Sequence, residues 1–156
     1  MLIRVAAVGR RMPRWVAEAW TEYTRRLPGV LRIELREIPL ARRGRNTDLE
    51  RARREEGAAL LAAVPRDARL VALDERGEPW TTADLAGHLE RWMGEGRSLG
   101  LLIGGPDGVS PECLQAADDR WSLGPLTLPH PVVRIILAEQ LYRAWSMLSG
   151  HPYHRA

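Results

Sequence analysis

Residues 122–133 read SLGPLTLPHPVV and lead directly into the most apolar helical run of the chain, Val132 to Ser149. Pro125, Pro129 and Pro131 donate no backbone hydrogen bond, and their fixed φ suits neither a helix interior nor a central strand. The leucines and valines around them nevertheless mark the segment as buried. Buried peptide groups need partners, and a segment that cannot pair in a ladder leaves them for a ligand. Leu123, Leu126 and Leu128, alternating with Gly124 and Pro125, offer apolar walls for a planar heteroaromatic ring. The stretch therefore reads as an adenine pocket built from main chain.

Working outward, strand and helix signals alternate. Leu2 to Val8 (LIRVAAV) is a nearly continuous apolar run ending at Gly9, as in a strand covered on both faces. Pro13 fits a first helical turn, and Val16, Ala19, Trp20, Tyr23 and Leu27 follow at helical spacing before Pro28-Gly29. LRIELREI from Leu31 alternates like an edge strand. After the polar loop ARRGRN, Thr47 and Glu50 form a capping box for a helix to about Val64. RLVALD (69–74) predicts a third strand followed by the turn ERGEPW. Thr82 to Met93 predicts a helix closed by Gly94 and Gly96, and SLGLLI (98–103) a fourth strand running into GGPDGVSP. Ser110-Pro111 opens a short helix to about Asp118, and Trp121 to Leu123 makes a brief fifth strand.

This order predicts an α/β fold: one domain over residues 1–156, with a mainly parallel sheet and helices on both faces. The last helix places Val133, Ile136, Gln140, Leu141, Ala144 and Leu148 on one face, and Ile135, Tyr142 and Trp145 widen it. That is more apolar surface than packing on one sheet requires, and a homodimer interface would use the surplus.

Composition adds limits. A chain of 156 residues buries roughly 70% of its unfolded surface and needs no staple. Its single cysteine, Cys113, suits a reducing compartment. With no run of eighteen apolar residues and too short an N-terminal apolar stretch for a signal peptide, the expectation is a cytoplasmic protein without membrane contact. The net charge is only +3, but all 23 basic residues are arginine and the pI is near 9.7. Arginine forks match phosphate, which favours nucleic acid as a partner; codon bias also fits a chain without lysine or phenylalanine.

Three strand ends could carry chemistry: Leu73-Asp74, Gly104 to Gly108, and residues 122–131. GGPDG lacks dinucleotide-fold spacing, and there is neither a Walker A loop nor a G-x-S-x-G elbow. A metal is not expected, because His88 stands alone and His151 and His154 have no cysteine or carboxylate beside them. Cys113 lies in a first helical turn, where the dipole would lower its pKa, but it has no histidine partner in sequence. The tail GHPYHRA is richer, since its histidines, tyrosine and arginine can stack on a base, contact phosphate and move protons.

The blocks VAAVGRRMPRWV, EIPLARRGRN, LLIGGPDG, WSLGPLTLPHPVVR and AEQLYRAWSMLSGHPYHR occur in this order along essentially the whole chain. Together they resemble the ribosomal large subunit methyltransferase H group of the SPOUT superfamily. The resemblance implies a C-terminal trefoil knot, a known exception to unknotted topology. It further implies S-adenosylmethionine held by the knot loops and a homodimer with its active site at the interface. The implied reaction is methylation of N3 of a pseudouridine in the helix 69 loop of 23S rRNA on the assembled ribosome.

Carried over by motif, the cofactor positions are Leu73, Gly104, Leu123, Gly124, Pro125, Leu126, Thr127 and Leu128. The tail residues His154, Tyr153 and Arg155, with His130 nearby, are expected to orient the acceptor ring and stabilise its developing anion. Arg134, Arg143 and His151 are expected to contact RNA or the partner subunit. SLGPLTL departs from the family where Gly124-Pro125 replace small residues such as serine and alanine, so Pro125 has only its carbonyl and packing surface to offer. A noncatalytic RNA-binding factor, using Arg42 to Arg45 and Arg51 to Arg54, is the main alternative. A nucleotide-dependent oxidoreductase is disfavoured by the missing fingerprint.

Overall fold

The computed structural model describes residues 1–46 and 48–155. Its strands are β1 (Leu2–Val8), β2 (Arg32–Ile38), β3 (Arg69–Pro79), β4 (Leu99–Ile103) and β5 (Asp119–Ser122). The helices are α1 (Arg14–Thr24), α2 (Leu49–Ala62), α3 (Thr82–Glu95), α4 (Pro111–Ala116) and α5 (His130–Ser149), followed by a 3-10 turn at Pro152–Arg155. All strand pairs are parallel, in the order β2-β1-β4-β3-β5. Every strand therefore ends at the same edge of the sheet, and its following loop opens there.

The apolar run of β1 is covered on both faces, as its composition requires. Ile3, Val5 and Ala7 join one core with α3 and α5, while Ala6 and Val8 join the other with α2 and α4. The period-two alternation of a strand makes this division. β4 repeats it, with Leu99, Leu101 and Ile103 facing one core and Leu102 the other. β2 lies at the sheet edge and is mostly half-exposed or exposed, in keeping with its alternation.

Several boundaries differ from the sequence reading. β3 does not end in a turn at Glu75: Leu73 and Glu78 both pair with Trp121, so residues 74–77 form an outward excursion before the strand resumes. Gly77 permits it, since a Cβ there would sit 2.7 Å from the Arg120 carbonyl carbon. α2 is capped by Asp48, whose carboxylate accepts from the amides of Glu50 and Arg51. The expected partner Thr47 lies outside the described residues. α5 begins at His130, because Pro131 in its first turn has a helical φ and no amide to satisfy.

The buried arc of α5 centres on Arg134, Leu137, Ala138, Leu141 and Tyr142 with Ala144. Leu141 and Ala144 were expected there, whereas Val133, Ile136, Gln140 and Leu148 are half-buried. Val133 and Leu148 still pack against the core, and Gln140 accepts from the Thr82 hydroxyl of α3, so these positions lie at the margin of the covered arc where α1 and α3 meet α5. No helix among the described residues is long and apolar enough to cross a membrane.

Candidate active site

A cavity of about 680 Å³ opens at the carboxyl edge of the sheet, between the ends of β3, β4 and β5. Open parallel sheets hold ligands at this edge, where loops present unpaired peptide groups. Leu73, Leu123, Gly124, Leu126, Thr127 and Leu128 line it together with Gly104. Pro125 does not, and it is the one expected cofactor position absent from the wall. Ile103, Trp121 and Val133 add apolar surface, while Arg53, Asp74, Arg76 and Arg120 bring charge. Asp74 was marked at a strand end and Arg53 within Arg51 to Arg54, whereas Arg76 and Arg120 escaped the sequence reading because nothing local to them signals a shared rim.

The two loops hold their shapes through internal bonds. In the β4 loop the Gly108 amide donates to the Gly105 carbonyl at 3.0 Å, and Gly108 takes φ +78°. A Cβ on Gly104 would lie 2.4 Å from the Gly108 carbonyl carbon, so the turn itself requires glycine there. In the β5 loop the Ser122 hydroxyl accepts from the Gly124 amide and donates to its carbonyl, each at 3.2 Å. Leu126 beyond this turn is 74% exposed although it lines the cavity.

A charge cluster fixes the β4 loop from behind. Glu56 of α2 is 2% exposed, and its carboxylate accepts from both terminal nitrogens of Arg43, at 2.8 and 3.0 Å. Arg43 also donates from Nε to Asp107 at 2.9 Å. These bonds hold the Arg43 pKa above its ordinary value, chiefly through Glu56. The bidentate fork joins the β2–α2 loop, α2 and the cavity loop in one network.

His130 lines the cavity from the first turn of α5. Its Nδ1 is buried without a hydrogen-bond partner among the described residues. Burial, and then the Arg134 charge, hold its pKa below the ordinary 6.5, so the ring is neutral at neutral pH. Arg134 itself corrects an expectation. At 1% exposure it donates to the Gly9 carbonyl at 2.7 Å and pairs with Glu37 at 2.7 Å. A buried guanidinium satisfying carbonyls after β1 is a structural brace and has no access to RNA phosphate.

The tail folds back on α5 and is not part of the cavity wall in the same chain. The Tyr153 hydroxyl donates to Glu139 at 3.0 Å, and its ring lies 4.6 Å from that of Tyr142. Arg143 pairs with the same Glu139 at 2.6 Å, with its guanidinium 4.9 Å from the Tyr153 ring centroid. The His151 amide donates to Ser146, while its Nδ1 accepts from the Tyr153 amide. His154 is half-buried, with Nδ1 unpartnered among the described residues, and Arg155 is exposed. Burial first, then the bond to Glu139, push the Tyr153 phenol up to about 12.

Two other side chains have structural surroundings. Cys113 is fully buried, its thiol lies 3.4 Å from the Gly57 carbonyl, and burial raises its pKa against the expected lowering by the helix dipole. His88 stacks on Trp80 at 3.8 Å between ring centroids and approaches Trp92 at 5.4 Å. Among the described residues no cluster of three histidine, cysteine, aspartate or glutamate side chains could hold a metal.

Comparison with known proteins bears on the same chain. A family model described as Predicted SPOUT methyltransferase matches residues 1–154. A protein of Ectopseudomonas mendocina named ribosomal RNA large subunit methyltransferase H is 55% identical over 99% of this chain and 100% of its own length. A protein of Pseudomonas aeruginosa bearing the same name is 54% identical over the same shares. The putative methyltransferase Lpg2936 from Legionella pneumophila, solved with S-adenosylmethionine bound, overlays on 95% of this chain and 66% of its own at a TM-score of 0.45 and 13% identity, a likeness too distant to bear on residues. Matched from its first strand to its tail, the chain belongs to the ribosomal RNA large subunit methyltransferase H family of SPOUT methyltransferases.

Proposed function

We propose that this protein is a cytoplasmic 23S rRNA methyltransferase using S-adenosylmethionine, acting as a homodimer on N3 of a pseudouridine in the helix 69 loop of the assembled ribosome. The observation that carries the reading is full-length likeness to relatives named ribosomal RNA large subunit methyltransferase H. The carboxyl-edge cavity supports it, because its residues suit such a donor. Apolar strips from Leu73, Leu123 and Leu128 can take a purine ring, and the irregular loops supply main-chain donors and acceptors for its edge. When bound, S-adenosylmethionine supplies a methyl group already activated on a sulfonium.

What remains for the protein is alignment, exclusion of water and loss of the N3 proton from the acceptor. His130 enters this scheme as a neutral imidazole on the cavity wall, able to orient the acceptor ring by hydrogen bonding. Tyr153, its phenol pushed up to about 12 by burial and Glu139, is protonated at neutral pH and donates to Glu139, so its part is to hold the tail in place. His154 and Arg155 would meet the acceptor from the partner subunit, since the tail packs on α5 of its own chain away from that chain's cavity. The half-buried Ile135, Ile136 and Trp145 of α5 offer the dimer surface that this arrangement needs. The trefoil knot of the family would be formed by the loops at 104–109 and 123–129, which converge on one cavity.

The test is transfer of labelled methyl from S-adenosylmethionine to ribosomes lacking the modification, with and without pseudouridine in helix 69, and mapping of the product by mass spectrometry. Methylation confined to that loop and favouring pseudouridine is expected. Cofactor binding with no transfer to any ribosome would favour the noncatalytic RNA-binding reading.

A further inference from the structure

The arginines at the two edges of the sheet differ in how many are paired, with Arg66 before β3 the unpaired, exposed one at the amino edge. At the amino edge of the sheet Arg32 pairs with Glu34, Arg69 with Glu95 and Asp119, and Arg97 donates to the carbonyls of Asp67 and Ala68. At the carboxyl edge, Arg10 and Arg11 after β1, Arg42 and Arg45 after β2, and Arg76 in the β3 excursion are all exposed. None of these has a hydrogen-bond or ion-pair partner for its side chain among the described residues. The strand order places the β1 and β2 loops on one side of the GGPDG loop and Arg76 on the other. Unpaired cations thus flank the mouth of the cavity.

The loops bearing these charges are held in place. Arg134 bonds the Gly9 carbonyl beneath Arg10, and Arg11 sits at φ +58°, a conformation non-glycine residues seldom adopt unless their surroundings impose it. Arg43, bonded to buried Glu56 and to Asp107, fixes the loop carrying Arg42 and Arg45 to the cavity loop itself. Exposed like charges repel one another, and holding them on fixed loops around a cavity is favourable when a polyanion occupies the space between them.

We propose that Arg10, Arg11, Arg42, Arg45 and Arg76 form the surface that grips substrate RNA through its phosphates, on both sides of the base presented to the cavity. This proposal rests on the methyltransferase reading and assigns its RNA contact. Phosphate contacts position RNA without reading sequence, so the surface sets affinity and register while the cavity selects the base.

The test compares Arg10→Gln/Arg11→Gln and Arg42→Gln/Arg45→Gln with Arg66→Gln, an exposed and unpaired arginine in the loop before β3 at the opposite edge. Anisotropy of a labelled helix 69 RNA hairpin across a salt series gives the slope of log affinity against log salt. Each lost phosphate contact should lower that slope by about 0.7 to 0.9, so each double variant should lose about 1.5 and Arg66→Gln nothing. S-adenosylmethionine affinity by calorimetry should be unchanged in both doubles, and KM for ribosomes should rise while kcat holds. Wild-type slopes in both doubles, or an equal fall in Arg66→Gln, would overturn the proposal while wild-type methyl transfer left the parent reading standing. Absence of both RNA binding and methyl transfer in the wild type would remove the two together.

Discussion

The Tyr153 hydroxyl donates to the Glu139 carboxylate at 3.0 Å, and this bond places the tail on the flank of α5 rather than over the cavity. Glu139 lies about 13 Å along the helix axis from His130 at 1.5 Å per residue. One chain therefore presents its tail and its cavity separately.

The same bond predicts a tyrosine that ionises late. Burial and Glu139 both oppose the phenolate, so ultraviolet titration of the tyrosines should show one hydroxyl ionising near 12. Tyr153→Phe should cost the tail about 1 kcal/mol of docking, read as faster amide exchange over residues 151–155. Unchanged exchange in that variant would mean the hydroxyl does not hold the tail.

Arg134 is expected to matter for folding before it matters for activity. Arg134→Ala leaves the Gly9 carbonyl without its buried donor and Glu37 without its cation, a loss of about 3 kcal/mol by denaturant unfolding. Glu37→Gln, at a more exposed position, should cost less than half as much. Equal costs would show that the ion pair, rather than the bonds to backbone, is the brace.

At the charge cluster, removing one partner strands the other. Arg43→Ala leaves the Glu56 carboxylate buried and unpaired and should destabilise by about 3 to 5 kcal/mol, while Arg43→Met/Glu56→Leu should recover most of that loss. Both variants should weaken S-adenosylmethionine binding, because Asp107 and the cavity loop lose their tether. A double variant with wild-type stability and wild-type cofactor affinity would remove the cluster from the site's architecture.

His130 gives the account a pH signature. Its folded pKa is lowered below 6.5 by burial and Arg134, so the unfolded chain binds the proton more readily. Stability is then complete above about 6.5 and is lost as pH falls from there through the folded pKa. His88 is shifted in the same direction, by burial and then Arg91, and contributes to the same acid-side loss. His130→Gln should make that loss shallower, and NMR titration of the wild-type ring should give a midpoint below 6.5. A midpoint at or above that value would contradict the neutral imidazole assigned to the cavity.

Much of the fold was legible because local chemistry decides it. The apolar runs at Leu2–Val8 and Leu99–Ile103 and the Ser110-Pro111 cap state their conformations within a few residues. The second half of β3 did not, since Glu78 and Pro79 become strand through β5 and through the close approach that Gly77 allows to Arg120. Arg134 misled for a related reason. An arginine on a helix reads as surface, and the carbonyls of Val8 and Gly9 that bury it come from the other end of the chain. Residues 122–129 announced an irregular apolar loop, but the burial read from its leucines is not met, since Pro125 to Thr127 and Pro129 are exposed at the cavity mouth, and no periodicity discloses that the tail would pack away from it.

The measurement that bears most directly on the account mixes two defective subunits and follows labelled methyl transfer to unmodified ribosomes. One lacks residues 151–156, and the other carries Leu128→Arg to obstruct the cavity. Each alone should be inactive, and their mixed dimer should regain transfer by joining the intact cavity of the first to the tail of the second. Full activity of the truncated protein alone, or a mixture that forms heterodimers and stays inactive, would contradict a site assembled from the cavity of one chain and the tail of its partner.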